Sequence, residues 1–476
     1  RVDENGLVNY AEIIGSELVT CGDFSCAAPT NYWTATNAVI SFANNQLTVD
    51  DTAGAGGDSR GSQAITTESG KTYRLTFNRI STTSLFYVGV GGGTSYNNIF
   101  YSSLGTDTGE YTLEFTATSS SSIIAFISGG NGITVFSNIS VKEVTRDNVP
   151  RIDYTGGGCP HILAEPESTN LNTNYNLLTA INAGAVSLNN SISPDGTQNA
   201  TKLTFGAGTN DGANISVGGS TCVASTLYTF SFYAKSVVGD GQFNLRLDTN
   251  SQSVLVNQGF TTTTDWVRYT HTFTSDAAAT SFGSNSRFRK VTASNEILFY
   301  GMQLEKLSYS TSIIPTSGST VTRNQDIFTR DGIGSLINST EGVLFVEMAA
   351  LSDDGTDRRI TLSDGSVSDQ VIIGLSRFAS NINAEIHSGG VLQTSGWGGT
   401  GVTQTNNNKF AISWGSGTMK FYINGSPIST QTGITSPIGL NSLKFSLGND
   451  TLNMFAKVKQ LQIFKTADID LAALTS

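Results

Sequence analysis

The sequence predicts an all-β protein of three tandem antiparallel β-sandwiches joined by extended connectors that contain Pro and Gly. Of the 476 residues, 51 are glycine and only 14% are charged, which is typical of short strands joined by many turns. Several segments alternate apolar and polar residues, as strands with one buried face do. A chain of this length exceeds a single hydrophobic core. We therefore predict sandwiches at residues 16–145, 173–315 and 341–476, with linking segments at 1–15, 146–172 and 316–340.

The first two predicted sandwiches follow one plan, in which two alternating strands precede a closing strand. In the first domain these strands contain Tyr73, Leu75 and Phe77, then Tyr111, Leu113 and Phe115, then Ile133, Val135, Ile139 and Val141. Their counterparts in the second domain are Tyr228, Phe230 and Phe232, then Val267, Tyr269 and Phe273, then residues 301–307. We interpret this correspondence as a weak internal duplication.

The third domain contains at least seven short strand candidates, and such a series with regular turns predicts a further sandwich. The candidates are residues 343–348, 359–362, 371–375, 409–414, 419–423, 443–447 and 458–464. Asn424-Gly425 predicts a tight hairpin, because both central positions of a type I′ turn require positive φ. The segment 467–474 is the one stretch with a helical pattern.

The connectors are recognised by their backbone chemistry. Pro150, Pro160 and Pro166 exclude helix and central strand from residues 150–171, and the three glycines at 156–158 predict a tight bend. Pro315 and Gly318 mark a second extended crossing at residues 310–323. Since the chain begins at Arg1 within a strand-like phrase, we expect an upstream segment before residues 1–15.

Charge and cysteine patterns exclude several classes of function. The net charge is −11, and the longest basic run is 287–290, so we expect neither nucleic acid nor other polyanions as partners. No run of 18 apolar residues predicts membrane insertion, and the first 25 residues lack the pattern of a signal peptide. Cys21 and Cys26 could form a local disulfide, but four free thiols are expected of a protein assembled in a reducing cytoplasm.

Aromatic and acidic loop residues supply the candidate binding sites. Tyrosine and tryptophan rings stack on the apolar faces of sugars, and the candidate glycan-binding residues are Tyr32, Trp33, Tyr96 and Trp397. Trp266 and Trp414 lie within alternating strands and are expected in the cores. Hard oxygen ligands for structural calcium occur at Asp353, Asp354 and Asp357, although a solvated turn explains the same pattern.

Several phrases resemble known families. Residues 18–24 with Tyr32 and Trp33, and the closing Val-Lys-Glu-Val strand at 141–144, resemble the jelly-roll fold of carbohydrate-binding modules. Residues 420–426 and 460–465 resemble the hairpin and closing strand of concanavalin A-like or laminin-G sandwiches. Residues 1–8, 150–171 and 311–323 together resemble the framework of bacteriophage tail proteins. In those proteins the segment similar to residues 1–8 is followed almost directly by the segment similar to residues 150–171. The resemblance therefore implies that residues 16–145 are an inserted module.

The resemblance implies a non-enzymatic virion protein, assembled in the host cytoplasm and displayed on the tail or capsid surface. Its expected partners are other virion proteins, further copies of itself in a possible homotrimer, and host surface glycan. The laminarinase motif Glu-x-Asp-x-x-Glu is missing from residues 347–350, so no catalytic residues and no cofactor beyond possible structural calcium are expected. Alternatives are a capsid decoration or head-fibre protein, and a secreted bacterial glycan-binding protein or glycoside hydrolase.

Overall fold

The computed structural model describes residues 1–8, 12–52, 59–103, 108–145, 149, 151–155, 159–252, 254–291, 296–375, 381–398 and 402–476. It confirms the predicted all-β sandwich fold. The chain forms two compact units, one of Glu12–Val149 and one that combines Arg1–Ala11 with Pro150–Ser476. The first unit is therefore inserted into the chain of the second. No helix in the described residues is long and apolar enough to cross a membrane.

The inserted unit is a sandwich of two antiparallel sheets. In the described residues one sheet has the order β3-β4-β11-β6-β9, with β1 beside β11, and the other has the order β2-β5-β10-β7-β8. Tyr73, Leu75 and Phe77 alternate into the core between the sheets, as predicted. The strands are β1 Ile13–Glu17, β2 Thr34–Thr36, β3 Val39–Ala43, β4 Gln46–Asp50, β5 Arg60–Thr66, β6 Thr72–Thr82, β7 Phe86–Gly92, β8 Phe100–Ser103, β9 Gly109–Thr116, β10 Ser121–Ser128 and β11 Ile133–Thr145, with a 3₁₀ turn at Pro29–Asn31.

The second sandwich follows the short connector strands β12 Arg151–Asp153, β13 His161–Leu163 and β14 Ser168–Asn170. Its strands are β15 Thr179–Ile181, β16 Ala185–Ser191, β17 Ala200–Thr204, β18 Gly212–Asn214, β19 Leu227–Ser236, β20 Gly241–Leu247, β21 Val256–Thr262, β22 Val267–Thr274, β23 Arg287–Lys290 and β24 Ile297–Glu305. They form sheets of order β16-β17-β24-β19-β22 and β15-β18-β23-β20-β21. Both sheets have the same strand order as the sheets of the first sandwich, β1 aside: β2 of the first sandwich corresponds to β15, β3 to β16, and so on to β11 and β24. The shared topology supports the internal duplication.

Aromatic rings fill the core of the second sandwich. Phe232 and Phe243 lie on opposite sheets with centroids 5.9 Å apart, and Phe288 stacks on Phe299 at 4.3 Å. All four side chains are fully buried, and burying one such ring contributes about 1.5–3 kcal/mol. Because alternate residues of a strand face opposite sides, placing Phe243 and Phe288 inside turns their sequence neighbours outward.

The third sandwich combines a seven-stranded sheet of order β12-β13-β36-β27-β32-β33-β34 with a six-stranded sheet of order β26-β35-β28-β29-β30-β31, within the described residues. Asn424 and Gly425 have φ of 47° and 79° and form the predicted hairpin turn. The elements are β25 Val321–Arg323, β26 Thr329–Arg330, a 3₁₀ turn at Gly334–Leu336, β27 Gly342–Ala350, β28 Arg358–Ser363, β29 Gln370–Leu375, β30 Ile382–Ser388, β31 Val391–Gly398, β32 Asn408–Gly415, β33 Thr418–Ile423, β34 Ser426–Thr432, β35 Ser442–Lys444, β36 Ala456–Phe464 and α1 Leu471–Thr475.

Both connectors are folded: β12, β13 and β26 belong to sheets of the third sandwich, whereas β14 and β25 form a separate two-stranded sheet. Strand β13 pairs with β36 of the third sandwich, and β14 pairs with β25. The carboxylate of Glu165 is buried between them and accepts bonds from Arg151 at 2.6 Å and Arg323 at 2.8 Å. Burial alone would raise the pKa of Glu165, but Arg323 and Arg151 hold it below its usual value. The bend predicted at 156–158 lies outside the described residues.

The cysteines correct one prediction. Cys21 and Cys26 are joined in a disulfide, with Cα atoms 5.8 Å apart, so the expectation of four free thiols is wrong for this pair. The bond closes the loop that leads to Trp33, whose indole nitrogen lies 3.4 Å from the Cys21 carbonyl oxygen. Cys159 is a free exposed thiol and Cys222 a free buried one.

Replacing Glu165 by glutamine removes the negative charge that compensates the buried guanidinium of Arg151 and the partly buried one of Arg323. We expect Glu165→Gln to destabilise the unit that contains it by about 3–5 kcal/mol, since breaking a buried ion pair leaves an uncompensated charge. Calorimetry of the full chain measures this loss. The matched control is Glu296→Gln, whose partner Lys202 lies 3.0 Å away but whose side chain is 40% exposed, so its cost is about 1 kcal/mol at most. Equal losses of stability from the two substitutions would contradict the conclusion that the buried Glu165 carboxylate stabilises this unit.

Candidate functional site

A polar face of the second sandwich is the strongest candidate site. It is the outward side of the β15-β18-β23-β20-β21 sheet, opposite the core residues Phe243, Leu245 and Phe288. The register places Arg246 opposite both Arg287 of β23 and Asn257 of β21. We call this surface the arginine face and define it by six of its described side chains, Asn214, Asn244, Arg246, Asn257, Arg287 and Arg289.

Hydrogen bonds hold most of these side chains in defined positions. Arg246 donates from Nε and Nη2 to the two carboxylate oxygens of Asp248, at 2.8 and 3.1 Å. Asn257 Oδ1 accepts from Arg289 Nη2 at 2.8 Å and from Asn244 Nδ2 at 3.0 Å. The result is a fixed array of guanidinium and amide groups, which suits hydrogen bonding to a polyhydroxylated or anionic ligand.

The electrostatics of the face are unfavourable in the free protein. Arg287 lies directly opposite Arg246, and like charges in that position destabilise a sheet. Burial and the guanidinium of Arg246 lower the pKa of Arg287, Asp248 opposes this effect, and Arg289 adds to the lowering. Arg287 Nε is also buried without a hydrogen-bond partner, as is Asn214 Oδ1. Polar groups in this state cost free energy unless a ligand or ordered water satisfies them.

The equivalent face of the first sandwich is aromatic. Tyr87 of β7 stacks on Tyr101 of β8 at 5.5 Å, and Tyr96 meets Tyr101 edge-on at 6.4 Å. The Arg60 guanidinium lies 4.0 Å above the Tyr96 ring. We call these four residues the tyrosine cluster. Tyr101 is 45% exposed, so the cluster offers a ring surface on which a sugar can stack.

Glycines explain how Tyr96 reaches this face. A Cβ atom on Gly89 would lie 2.5 Å from the Tyr96 carbonyl oxygen, and one on Gly91 would lie 2.4 Å from that of Ser95. The absence of side chains at these two positions therefore lets the loop fold back over the sheet. Gly89 and Gly91 are residues of strand β7 itself, so the close approach of the loop takes place over the strand.

The four aromatic residues predicted to bind glycan have different environments. Tyr32 is 44% exposed, and Tyr96 belongs to the tyrosine cluster. Trp33 is only 3% exposed and packs between Phe24 and Phe126, at 5.5 and 6.0 Å. The expectation that Trp33 is a sugar platform is therefore wrong. Trp397 lies on β31 opposite Asn383, and its side chain is outside the described part of the chain.

The acidic loop of the third sandwich is held by ion pairs. Asp354 accepts from Arg358 at 2.6 Å, Asp357 contacts Arg359 at 3.0 Å, and Asp353 is exposed. Burial would raise the pKa of Asp354, but Arg358 and a hydrogen bond from Thr356 lower it. No group of three His, Cys, Asp or Glu in the described residues is placed to hold a metal ion. The three aspartates form an arginine-braced turn and do not converge as calcium ligands.

The arginine face was missed at the sequence level because its residues come from four separate strands. A local signal was present in the alternation Asn244-x-Arg246 and Arg287-x-Arg289, which places each pair on one side of a strand. In the sequence, residues 287–290 have the composition of a short basic run, whereas in the strand the pleat turns Phe288 inward and the two arginines outward. Recognising the face required knowing that β20 and β23 are neighbours.

The comparison with protein families matches this domain. Residues 175–288 match the model of a family described as a carbohydrate binding domain. The match includes every residue of the arginine face except Arg289, which lies one residue beyond it. It covers one domain and not the chain as a whole. A comparison with curated protein sequences finds no match.

Solved structures with partial similarity include several glycan-related domains. One is a carbohydrate-binding module of the Ruminococcus gnavus IT-sialidase bound to α2,3-sialyllactose, with 12% identity over 31% of this chain and 98% of that one, at a TM-score of 0.27. Domain 4 of a Geobacillus stearothermophilus arabinanase, in complex with arabinotriose, has 14% identity over 33% and 73%, at 0.25. Mouse laminin α1 domains LG4-5 have 8% identity over 60% and 89%, at 0.22. Similarity at this level carries no functional information.

Removing one guanidinium should relieve the like-charge contact. We expect Arg287→Gln to leave the free energy of unfolding within about 0.5 kcal/mol of the original or to raise it. Arg246→Gln should instead lower it by about 1.5–3 kcal/mol, because the buried Asp248 then loses its charged partner. Chemical denaturation of both variants gives the comparison. A larger loss for Arg287→Gln than for Arg246→Gln would contradict this assignment of charges.

Proposed function

We propose that this chain is a non-enzymatic surface protein of a bacteriophage virion that adheres to host glycan as a tail-fibre or receptor-binding subunit. The observation that carries the glycan-binding part is the arginine face, since it lies on the domain similar to a carbohydrate binding domain. The virion part rests on the resemblance of the segments 1–8, 150–171 and 311–323 to phage tail proteins.

Adhesion by such a protein would work through repeated weak contacts. The duplicated sandwiches present two chemically different surfaces, the tyrosine cluster and the arginine face, on equivalent sheets. Several copies on one particle raise the effective concentration of each site, so avidity can exceed single-site affinity by about 10² to 10⁴. A fibre with several copies of the chain would therefore hold a cell even if each sugar binds weakly.

Folded connectors suit this role. The strand pairs β13–β36 and β14–β25, together with the buried Glu165, join the second and third sandwiches in one compact unit. A unit held in this way does not depend on a flexible linker to set the position of its binding surface. An adhesive protein profits from such preorganisation, because less conformational entropy is lost when it binds.

Two measurements on the whole protein test the proposal. Antibody labelling of intact particles should place the chain on the tail, and its absence from particles would contradict the virion role, whereas labelling of the head would select the decoration or head-fibre alternative. A glycan array probed with the full chain should show saccharide binding. Release of oligosaccharides from host polysaccharide during incubation would contradict the non-enzymatic assignment.

A further inference from the structure

We propose that the arginine face selects an acidic saccharide, whose carboxylate or phosphate group is bound by Arg287 and Arg289. This inference rests on the proposed glycan-binding function of the second sandwich and names its ligand class. It differs from a general sugar site because the face contains cationic groups and amides but no aromatic ring among its described side chains.

The positive charge of the arginine face is not balanced within the described residues. Of the three arginines, Arg246 is neutralised by a two-point contact with Asp248. Arg289 donates to the amide oxygen of Asn257, which carries no charge, and no carboxylate of the described residues forms an ion pair with Arg287 or Arg289. The charges of Arg287 and Arg289 are therefore not neutralised by a carboxylate of the described residues, and an anionic ligand could neutralise them.

The positive charges are also crowded together on this face. Arg287 is held between Arg246, directly opposite on β20, and Arg289, two residues along the same face of β23. Such a cluster costs stability in the free protein, and proteins retain unfavourable arrangements mainly at functional sites. A bound anion would reverse the sign of this interaction and would also give Arg287 Nε an acceptor.

The hydrogen-bonding geometry of the face also fits an acidic saccharide. A guanidinium is a planar fork that matches the two oxygens of a carboxylate or phosphate. Asn244 and Asn257 lie beside Arg289 and are fixed by a mutual bond of 3.0 Å. Their amide groups can form hydrogen bonds with hydroxyl groups of the same saccharide. The ligand would then be recognised by both its negative charge and its hydroxyl groups.

The chain as a whole is negatively charged, so only the arginine face would attract an acidic saccharide. A net charge of −11 repels polyanions in general. Attraction to an acidic saccharide would thus come from the arginine face and would weaken as salt screens its exposed charges. An acidic saccharide would be an exception to the expectation that polyanions are not partners. That expectation rests on the run at 287–290 alone and not on the strands that lie beside it in the sheet.

Binding of charged polymers to the full chain tests the inference. The carboxylated probes are polygalacturonate, hyaluronate and polysialic acid, each compared with its methyl ester, and poly(glycerol phosphate) is the phosphate probe. We expect at least one acidic polymer to bind, its uncharged form to bind at least tenfold more weakly, and binding to fall with salt. Binding of carboxylate or of phosphate then identifies the group. Duplex DNA should not bind.

Variants locate the binding. Arg287→Gln and Arg289→Gln should each weaken binding of the acidic polymer by about tenfold to a hundredfold, as expected for loss of a charged hydrogen bond. The control Lys202→Gln removes a positive charge from the other sheet of the same sandwich and should leave affinity unchanged. Melting temperatures that are not lower than that of the original protein show that the variants fold.

Different results would contradict the acidic-ligand inference and the proposed glycan-binding function. Binding of neutral saccharides alone, or acidic binding that survives both arginine substitutions, overturns the acidic-ligand inference and leaves glycan binding intact. Equal binding of DNA also overturns it, because the face would then be a general polyanion surface. Failure to bind any saccharide, acidic or neutral, contradicts the proposed function itself.

Discussion

The buried carboxylate of Glu165 is the contact on which the larger unit depends. It lies in one connector, accepts from Arg151 of the same connector and from Arg323 of the other, and so ties both to the sheets they join. Asp326 balances Arg151 from the second connector. Since buried charges are tolerated only when they are paired and hydrogen-bonded, these connectors have one arrangement, and two sandwiches form a single compact unit.

The alternation of side chains across a strand governs what each sandwich displays. Both duplicated sandwiches turn large rings inward, for example Phe126 in the first and Phe288 in the second. The same requirement turns the intervening residues outward, where they are free of packing constraints. In the first sandwich that outward sheet carries the tyrosine cluster, and in the second it carries the arginine face. The duplication thus conserves the architecture while the surfaces differ in chemistry.

Strand identity was predictable because the signal lies within each strand. The alternating rings of β6 and β19 predicted both strands and their buried faces, and Asn424-Gly425 predicted a hairpin. Sites were less predictable because they depend on neighbours distant in sequence. Trp33 has the sequence context of a loop, and only its packing on Phe24 and Phe126 shows it to be core. The cysteine spacing allowed a disulfide without requiring one.

If the arginine face binds an acidic saccharide, the ligand lies on the outward side of β20, β21 and β23. The decisive experiment is a structure of the full chain with a bound oligogalacturonide, or with the shortest acidic oligosaccharide that binds. We expect the ligand's carboxylate or phosphate within hydrogen-bonding distance of Arg287 and Arg289, and its hydroxyls beside Asn244 and Asn257. A ligand seated instead on the tyrosine cluster or on the third sandwich, with the arginine face unoccupied, would contradict it.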